Sequence, residues 1–178
     1  MRRNHWIALA TLTALVALPL QANAHVQSSC QSEPGSIDVF TVWELHCSNN
    51  ADSGSASETG VLSKVYGYDG ADRLILTADN TVVHAGNGGD YIEARAGNDD
   101  VYGGAGNDDL KGGDGADLLT DGAVGGDYDR ICDGSGADSI VTADGDGLDV
   151  VYFASDSATD SWTSDANDIS IHNTTCPF

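Results

Sequence analysis

The stretch GGAGNDDLKGGDGADLLT, residues 103–120, states one pattern twice without a gap. Its halves, 103–111 and 112–120, both read Gly-Gly-x-Gly-x-Asp-x-U-x, where U is aliphatic. Outward from this core, the aliphatic position recurs every nine residues at Leu74, Val83, Ile92, Val101, Leu110 and Leu119. It resumes after short insertions at Ile131, Ile140 and Val151. Two residues before each stands Asp72, Thr81, Asp90, Asp99, Asp108, Asp117, Asp129, Asp138 or Asp149, so aspartate fails only at Thr81. Glycine is usual two residues earlier again, with Asp79 and Asp127 as exceptions. A short fixed period marks a solenoid, whose units are too small to bury a core alone and must stack on their neighbours.

The residue types explain the spacing. Glycines at the first, second and fourth positions allow backbone with φ > 0 and let successive turns approach closely. The x-U-x that follows is a very short strand that sends one side chain inward and its neighbours outward. This unit resembles the RTX, or haemolysin-type, calcium-binding nonapeptide over residues 67–152. The resemblance implies an all-β fold, a parallel β-roll or β-helix solenoid, with Ca2+ held between stacked turns by the repeat aspartates and loop carbonyls. Two units make one coil, so Asp72, Asp90 and Asp108 should form one column and Asp99 and Asp117 the other. Carried over from the family, the ligand pairs are Asp90 with Asp108 and Asp99 with Asp117, followed by Asp72 with Asp90 and Asp117 with Asp138. Calcium takes about six to eight oxygen ligands, which stacked carboxylates and carbonyls can supply. Asp100 and Asp109, one residue further on, are expected to face outward into solvent. Two segments depart from the pattern: LTADNTVVH (76–84) lacks the glycines and the aspartate, and residues 121–132 carry extra residues. With carboxylates stacked in columns over a thin core, the metal-free repeat is expected to be largely unfolded, because calcium stabilises only the folded form.

Residues 1–24 read as a secretory signal peptide: Arg2 and Arg3, an apolar run from Trp6 to Leu20, then Ala22-Asn23-Ala24 before the expected cut. Without them, 28 acidic residues face five basic ones, a formal charge of −23. Such a surface repels nucleic acid and anionic membrane, and no membrane insertion is expected after cleavage. Cys30, Cys47, Cys132 and Cys176 all lie in the mature part, and an even count in an exported chain favours two disulfides over a zinc site, for which no Cys-x-x-Cys pair exists. Cys30 with Cys47 and Cys132 with Cys176 is one of three possible pairings.

The flanks lack the repeat. Residues 25–66 are expected to form an N-terminal cap, in which Ile37, Val39, Trp43, Leu45 and Cys47 alternate onto one face of a strand. NNADSGSASETG (49–60) reads as a flexible loop. Residues 153–178 should cap the other end, leaving 67–152 as the calcium-binding region. No His-Glu-x-x-His or Gly-x-Ser-x-Gly motif is present, and His46, His84 and His172 are scattered, which together point away from an enzyme. The expected function is therefore an exported, non-catalytic calcium-binding β-roll. An adhesin or matrix protein with structural calcium, and an extracellular protein or glycan partner, is the alternative. A small secreted hydrolase would need flanks large enough to hold a core.

Overall fold

A computed structural model describes residues 31–34, 43–47, 50, 53–56, 63–76, 80–122, 127–142, 145, 148–156, 158–172 and 174–178. These residues contain fifteen strands and no helix. They are β1 (Gln31–Pro34), β2 (Trp43–His46), β3 (Ser53–Ala56), β4 (Ser63–Asp69), β5 (Arg73–Leu76), β6 (Val82–Asn87), β7 (Tyr91–Ala96) and β8 (Asp100–Ala105). There follow β9 (Asp109–Asp114), β10 (Leu118–Gly122), β11 (Arg130–Ser135), β12 (Ser139–Thr142), β13 (Val150–Phe153), β14 (Ser161–Ser164) and β15 (Ile169–His172).

The chain winds as a parallel β-solenoid. Even-numbered strands, with β1, build one sheet in the order β1-β2-β4-β6-β8-β10-β12-β14. Odd-numbered strands build the facing sheet, β15-β13-β11-β9-β7-β5-β3. Alternate units therefore stack on the same side, and the register keeps aliphatic on aliphatic: Val83 on Val101 on Leu119 in one sheet, Leu74 on Ile92 on Leu110 in the other. Insertions are absorbed in the turns, since Leu110 still pairs with Ile131. Leu74, Val83, Ile92, Val101, Leu110, Leu119, Ile131, Ile140 and Val151 are all buried. Each removes one aliphatic side chain from water, worth about 1.5–3 kcal/mol, and the resulting core is one file of aliphatics from each sheet, joined by Leu76, Ala85, Ala94 and Phe153.

Glycine makes the coils stack this tightly. Gly104 has φ +115°, and a Cβ there would stand 2.0 Å from the Gly86 carbonyl oxygen of the preceding coil. Tyr68 and Arg95 occupy the corresponding second position of their units at φ 78° and 80°, so two coils carry a side chain in the left-handed region.

Parallel pairing continues past the stretch where the nine-residue spacing is legible. β2 lies beside β4 and β3 beside β5 at one end, while β14 lies beside β12 and β15 beside β13 at the other. Residues 53–56, expected within a flexible loop, instead form β3. Ladder bonding to β5 explains the difference: a solenoid edge offers unpaired backbone groups, and a neighbouring segment gains by adding to it. Of the expected cap strand, Trp43–His46 is β2, whereas Ile37 and Val39 lie outside the described residues, as does the signal peptide. Cys132 and Cys176 are joined, with Cα atoms 5.8 Å apart. Cys47 is also disulfide-bonded, and its expected partner Cys30 lies outside the described residues.

Candidate metal centre

The turns before β5 and before β7 to β13 each deliver an aspartate to the interior just before the strand begins. Asp72, Asp90, Asp99, Asp108, Asp117 and Asp138 are each at most 2 % exposed, an extreme burial for carboxylates. The two columns are held by one recurring bond. The Asp72 amide donates to Asp90 Oδ1 at 2.7 Å, and the Asp90 amide donates to Asp108 Oδ1 at 2.8 Å. In the other column the Asp99 amide donates to Asp117 Oδ1 at 2.9 Å and the Asp117 amide to Asp138 Oδ1 at 2.8 Å. Both ladders run on upward, through Asp129 and Asp149 in the first and Asp160 in the second. Thr81, the one non-aspartate, joins the second ladder through its amide, which donates to Asp99 Oδ1 at 2.6 Å.

One oxygen of each carboxylate is thereby fixed, and the other is left. Oδ2 of Asp90, Asp108, Asp117 and Asp138 is buried and accepts no hydrogen bond. Burial raises all four: Asp90 and Asp117 to about 6, Asp138 to about 7 and Asp108 to about 8. In each case the amide bond to Oδ1 pulls the value down, and the charges of other column aspartates push it up again. A buried acceptor without a donor is costly, and stacked like charges add to the cost.

The basic side chains do not relieve this. Arg130 Nε donates to Asp109 Oδ1 at 2.6 Å and its Nη2 to the other oxygen, while Arg95 pairs with Glu93 at 2.7 Å. Arg73 and Lys111 lie over the Tyr91 ring. These contacts are on the outside of the second sheet, across it from the aspartates. They also correct one expectation. Asp100 is exposed, as its position implies, but Asp109 is half-buried under Arg130 rather than freely solvated, because the pairing of β11 with β9 sets Arg130 directly opposite it.

A position beside the free oxygens is open because its residue is glycine. A Cβ on Gly103 would stand 2.5 Å from Asp108 Oδ2 and 2.4 Å from the Asp121 carbonyl oxygen. A Cβ on Gly112 would stand 2.5 Å from Asp117 Oδ2 and 2.4 Å from the Asp133 carbonyl oxygen. Free carboxylate and carbonyl oxygens converge where a side chain is missing, with no nitrogen or sulfur among them. That donor set fits calcium, a hard cation that takes oxygen ligands.

Sequence reasoning missed three features of this region. Asp121 and Asp133 stand at the first position, in glycine's place, and are buried; their offset of two residues beyond Leu119 and Ile131 was the available signal. The third is a stack of rings on the outer face of the first sheet: His46, Tyr66, His84 and Tyr102, with successive centroids 4.9, 5.3 and 4.8 Å apart and planes within 14°. Tyr66, His84 and Tyr102 follow the 18-residue coil, a period visible only once two units are known to make one turn.

Residues 84–119 match the family model of the RTX calcium-binding nonapeptide repeat, in four copies. The match takes in Asp90, Asp99, Asp108 and Asp117 and leaves Asp72 and Asp138 outside it. No curated protein and no solved structure matches the chain. RTX calcium-binding repeats wound into a β-solenoid fit a calcium-binding β-roll.

Proposed function

We propose that this chain is an exported, non-catalytic protein whose β-roll takes up calcium along its two aspartate columns and needs the ion to complete its fold. The observation that carries the reading is the set of buried, hydrogen-bond-free Oδ2 atoms of Asp90, Asp108, Asp117 and Asp138. Asp72 and Asp99 hold equivalent places in the columns and complete the ligand set. The chain's own part is to present these oxygens in fixed orientation, through the amide bonds to Oδ1, and to keep side chains out of the space beside Gly103 and Gly112. Calcium, when bound, supplies the positive charge that the basic side chains do not bring to the interior. Since the ion binds only the folded form, its binding energy adds to folding stability. Export follows from reading residues 1–24 as a signal peptide, and the disulfide bonding of Cys47, Cys132 and Cys176 suits an oxidising compartment.

Far-ultraviolet circular dichroism of the calcium-depleted mature chain tests this. Added calcium should raise β structure cooperatively, with magnesium a poor substitute because it demands a compact octahedron. An unchanged spectrum would refute the proposal.

The stacked rings favour a second reading, in which calcium is structural and the outer face of the first sheet adheres to a glycan or matrix protein. Aromatic faces are common contact surfaces for partners that are part apolar. Calcium-dependent retention on immobilised glycans, lost on Tyr66→Ala with Tyr102→Ala, would support it; no retention in calcium would remove it.

A further inference from the structure

The C-terminal end of the solenoid is built from rings. Phe153 stands two residues past Val151, at the first position of its unit, where Gly103 and Gly112 leave space in the middle coils. Trp162 pairs with Ile140 at the aliphatic position of β14, and His172 pairs with Phe153 at the end of β15. We infer that Phe153, Trp162 and His172, with Asp156 and Asp160 beside them, form a binding cleft for a quaternary ammonium group, the trimethylammonium head of a choline-type ligand.

The arrangement of the rings carries it. His172 is stacked on Phe153 with centroids 4.7 Å apart and planes 13° apart, whereas Trp162 meets Phe153 edge to face at 6.0 Å and 64°. Trp162 and His172 are therefore steeply inclined to each other, two walls of a corner whose base is the buried Phe153. The Trp162 indole N–H donates to Thr142 Oγ1 at 3.1 Å, which fixes that wall. β14 and β15 are the last strands of their sheets, so each ring has a coil beneath it and, among the described residues, no strand above. The rings and the turn between β13 and β14 line a cleft of about 450 Å³, within the usual range of small-molecule sites, about 300–1,000 Å³.

The chemistry of the lining selects the ligand. An aromatic face carries negative potential and attracts a cation within about 6 Å of its centroid, most strongly at tryptophan. Asp156 and Asp160 line the same cleft and add full negative charge. Their oxygens are largely engaged: Gly136 donates to Asp156 Oδ2 at 2.7 Å, Ala158 to Asp156 Oδ1 at 3.0 Å, and Asp138 to Asp160 Oδ1 at 3.1 Å. These carboxylates thus offer charge at a fixed place and few free acceptors. A primary ammonium is compact, strongly hydrated and carries three donors, so it would give up water for too few new hydrogen bonds. A quaternary ammonium has no donor to satisfy and lays methyl groups against the rings. Calcium is poorly served here, because the ring walls bring it no oxygen. The cleft is therefore distinct in chemistry from the aspartate columns.

The experiment titrates the full mature chain, in calcium, with three probes. They are choline, its uncharged isostere in which a tert-butyl group replaces trimethylammonium, and butylamine as the stand-in for a lysine side chain. Trp43 and Trp162 are the tryptophans of the mature chain, so a saturable change in tryptophan emission that persists in Trp43→Phe reports this end. Choline should give that change, and isothermal titration should find a single site. The isostere and butylamine should each bind at least about tenfold more weakly. An isostere that binds as well as choline would show an apolar cleft only, and a butylamine that binds better would show a primary-amine site; either overturns the proposal. Asp156→Asn, which keeps an oxygen for a backbone amide, and His172→Ala, at an exposed position, should each weaken choline about threefold or more with an unchanged far-ultraviolet spectrum. Trp162→Leu should remove choline binding, and where that variant does not fold the other two decide. Absence of saturable choline binding to wild type, or equal affinity in the folded variants, refutes the cleft.

Discussion

Replacing Asp108 by Asn should have opposite effects in the absence and presence of calcium. Asparagine keeps an oxygen for the Asp90 amide and carries no charge, so it imitates the protonated carboxyl. Burial holds Asp108 near 8 in the fold against an ordinary 3.8. Between those values the folded chain retains a proton that the unfolded chain has released. Stability from this group is therefore fully present below about pH 4 and is lost as pH rises through about 8. Four pH units correspond to about 6 kcal/mol, a ceiling because the neighbouring carboxylates are coupled. Against a usual domain stability of about 5–15 kcal/mol, that decides whether the metal-free coil forms. Calcium-depleted wild type should thus show more β structure at pH 5 than at pH 8, with Asp138, Asp90 and Asp117 adding in the same direction. Asp108→Asn should retain that structure to higher pH and resist urea better than wild type at pH 8. In calcium the order reverses, since the variant has lost a ligand charge. Circular dichroism across pH on protein stripped by chelating resin, with urea titration at pH 8 and calorimetry in calcium, reads all of this. Calcium-free wild type that gains β structure from pH 5 to pH 8 would refute the reasoning, as would an Asp108→Asn variant less stable than wild type without calcium at pH 8.

Further expectations concern adjacent residues with different surroundings. Asp108→Ala and Asp99→Ala should weaken calcium uptake substantially, whereas Asp100→Ala should change it little; equal losses in isothermal titration would contradict the column geometry. Asp109→Ala should leave calcium stoichiometry intact and remove only the pair with Arg130, worth about 0–1 kcal/mol in a thermal melt. Gly112→Ala drives a methyl against the Asp133 carbonyl and Asp117 Oδ2 and should cost about 1–3 kcal/mol of calcium-loaded stability; an unchanged melting temperature would mean the turn can open. Arg95→Gly should stabilise the calcium form by roughly 1 kcal/mol, because relief of the left-handed backbone outweighs the exposed pair with Glu93. A lowered denaturation midpoint would contradict it.

The register of the solenoid was legible because its two determinants are local. An aliphatic every nine residues with an aspartate two before it fixed which side chains face inward, and Leu74 through Val151 are buried in that order. Insertions near Gly125 and Gly145 did not obscure it, since turns can lengthen without disturbing the strands. The flanking coils were illegible for the opposite reason. β3 is Ser-Gly-Ser-Ala, with nothing in its side chains to call for a strand; its partner Arg73–Leu76 supplies the reason through backbone bonding alone. β14 and β15 carry Trp162 and Ser170 where an aliphatic would signal the register. The columns could be drawn from the 18-residue coil, yet the continuation of the second one to Asp160 could not, because that residue lies beyond the last clear repeat and joins the ladder only through the stacking of β14 on β12.

A solenoid comes apart from its ends, where the outermost coil has a neighbour on one side only. The C-terminal tail of this chain turns back over the outside of the second sheet, where Phe178 lies against Tyr152, Arg130 and Lys111, and Cys176 is bonded to Cys132 in β11. Traction on the tail is thus passed to β11, third from the end of the second sheet, and β12 to β15 sit inside a closed covalent loop. While that bond holds they cannot be unwound from the stack one after another, because force on the tail loads the ladder of β11 with β9.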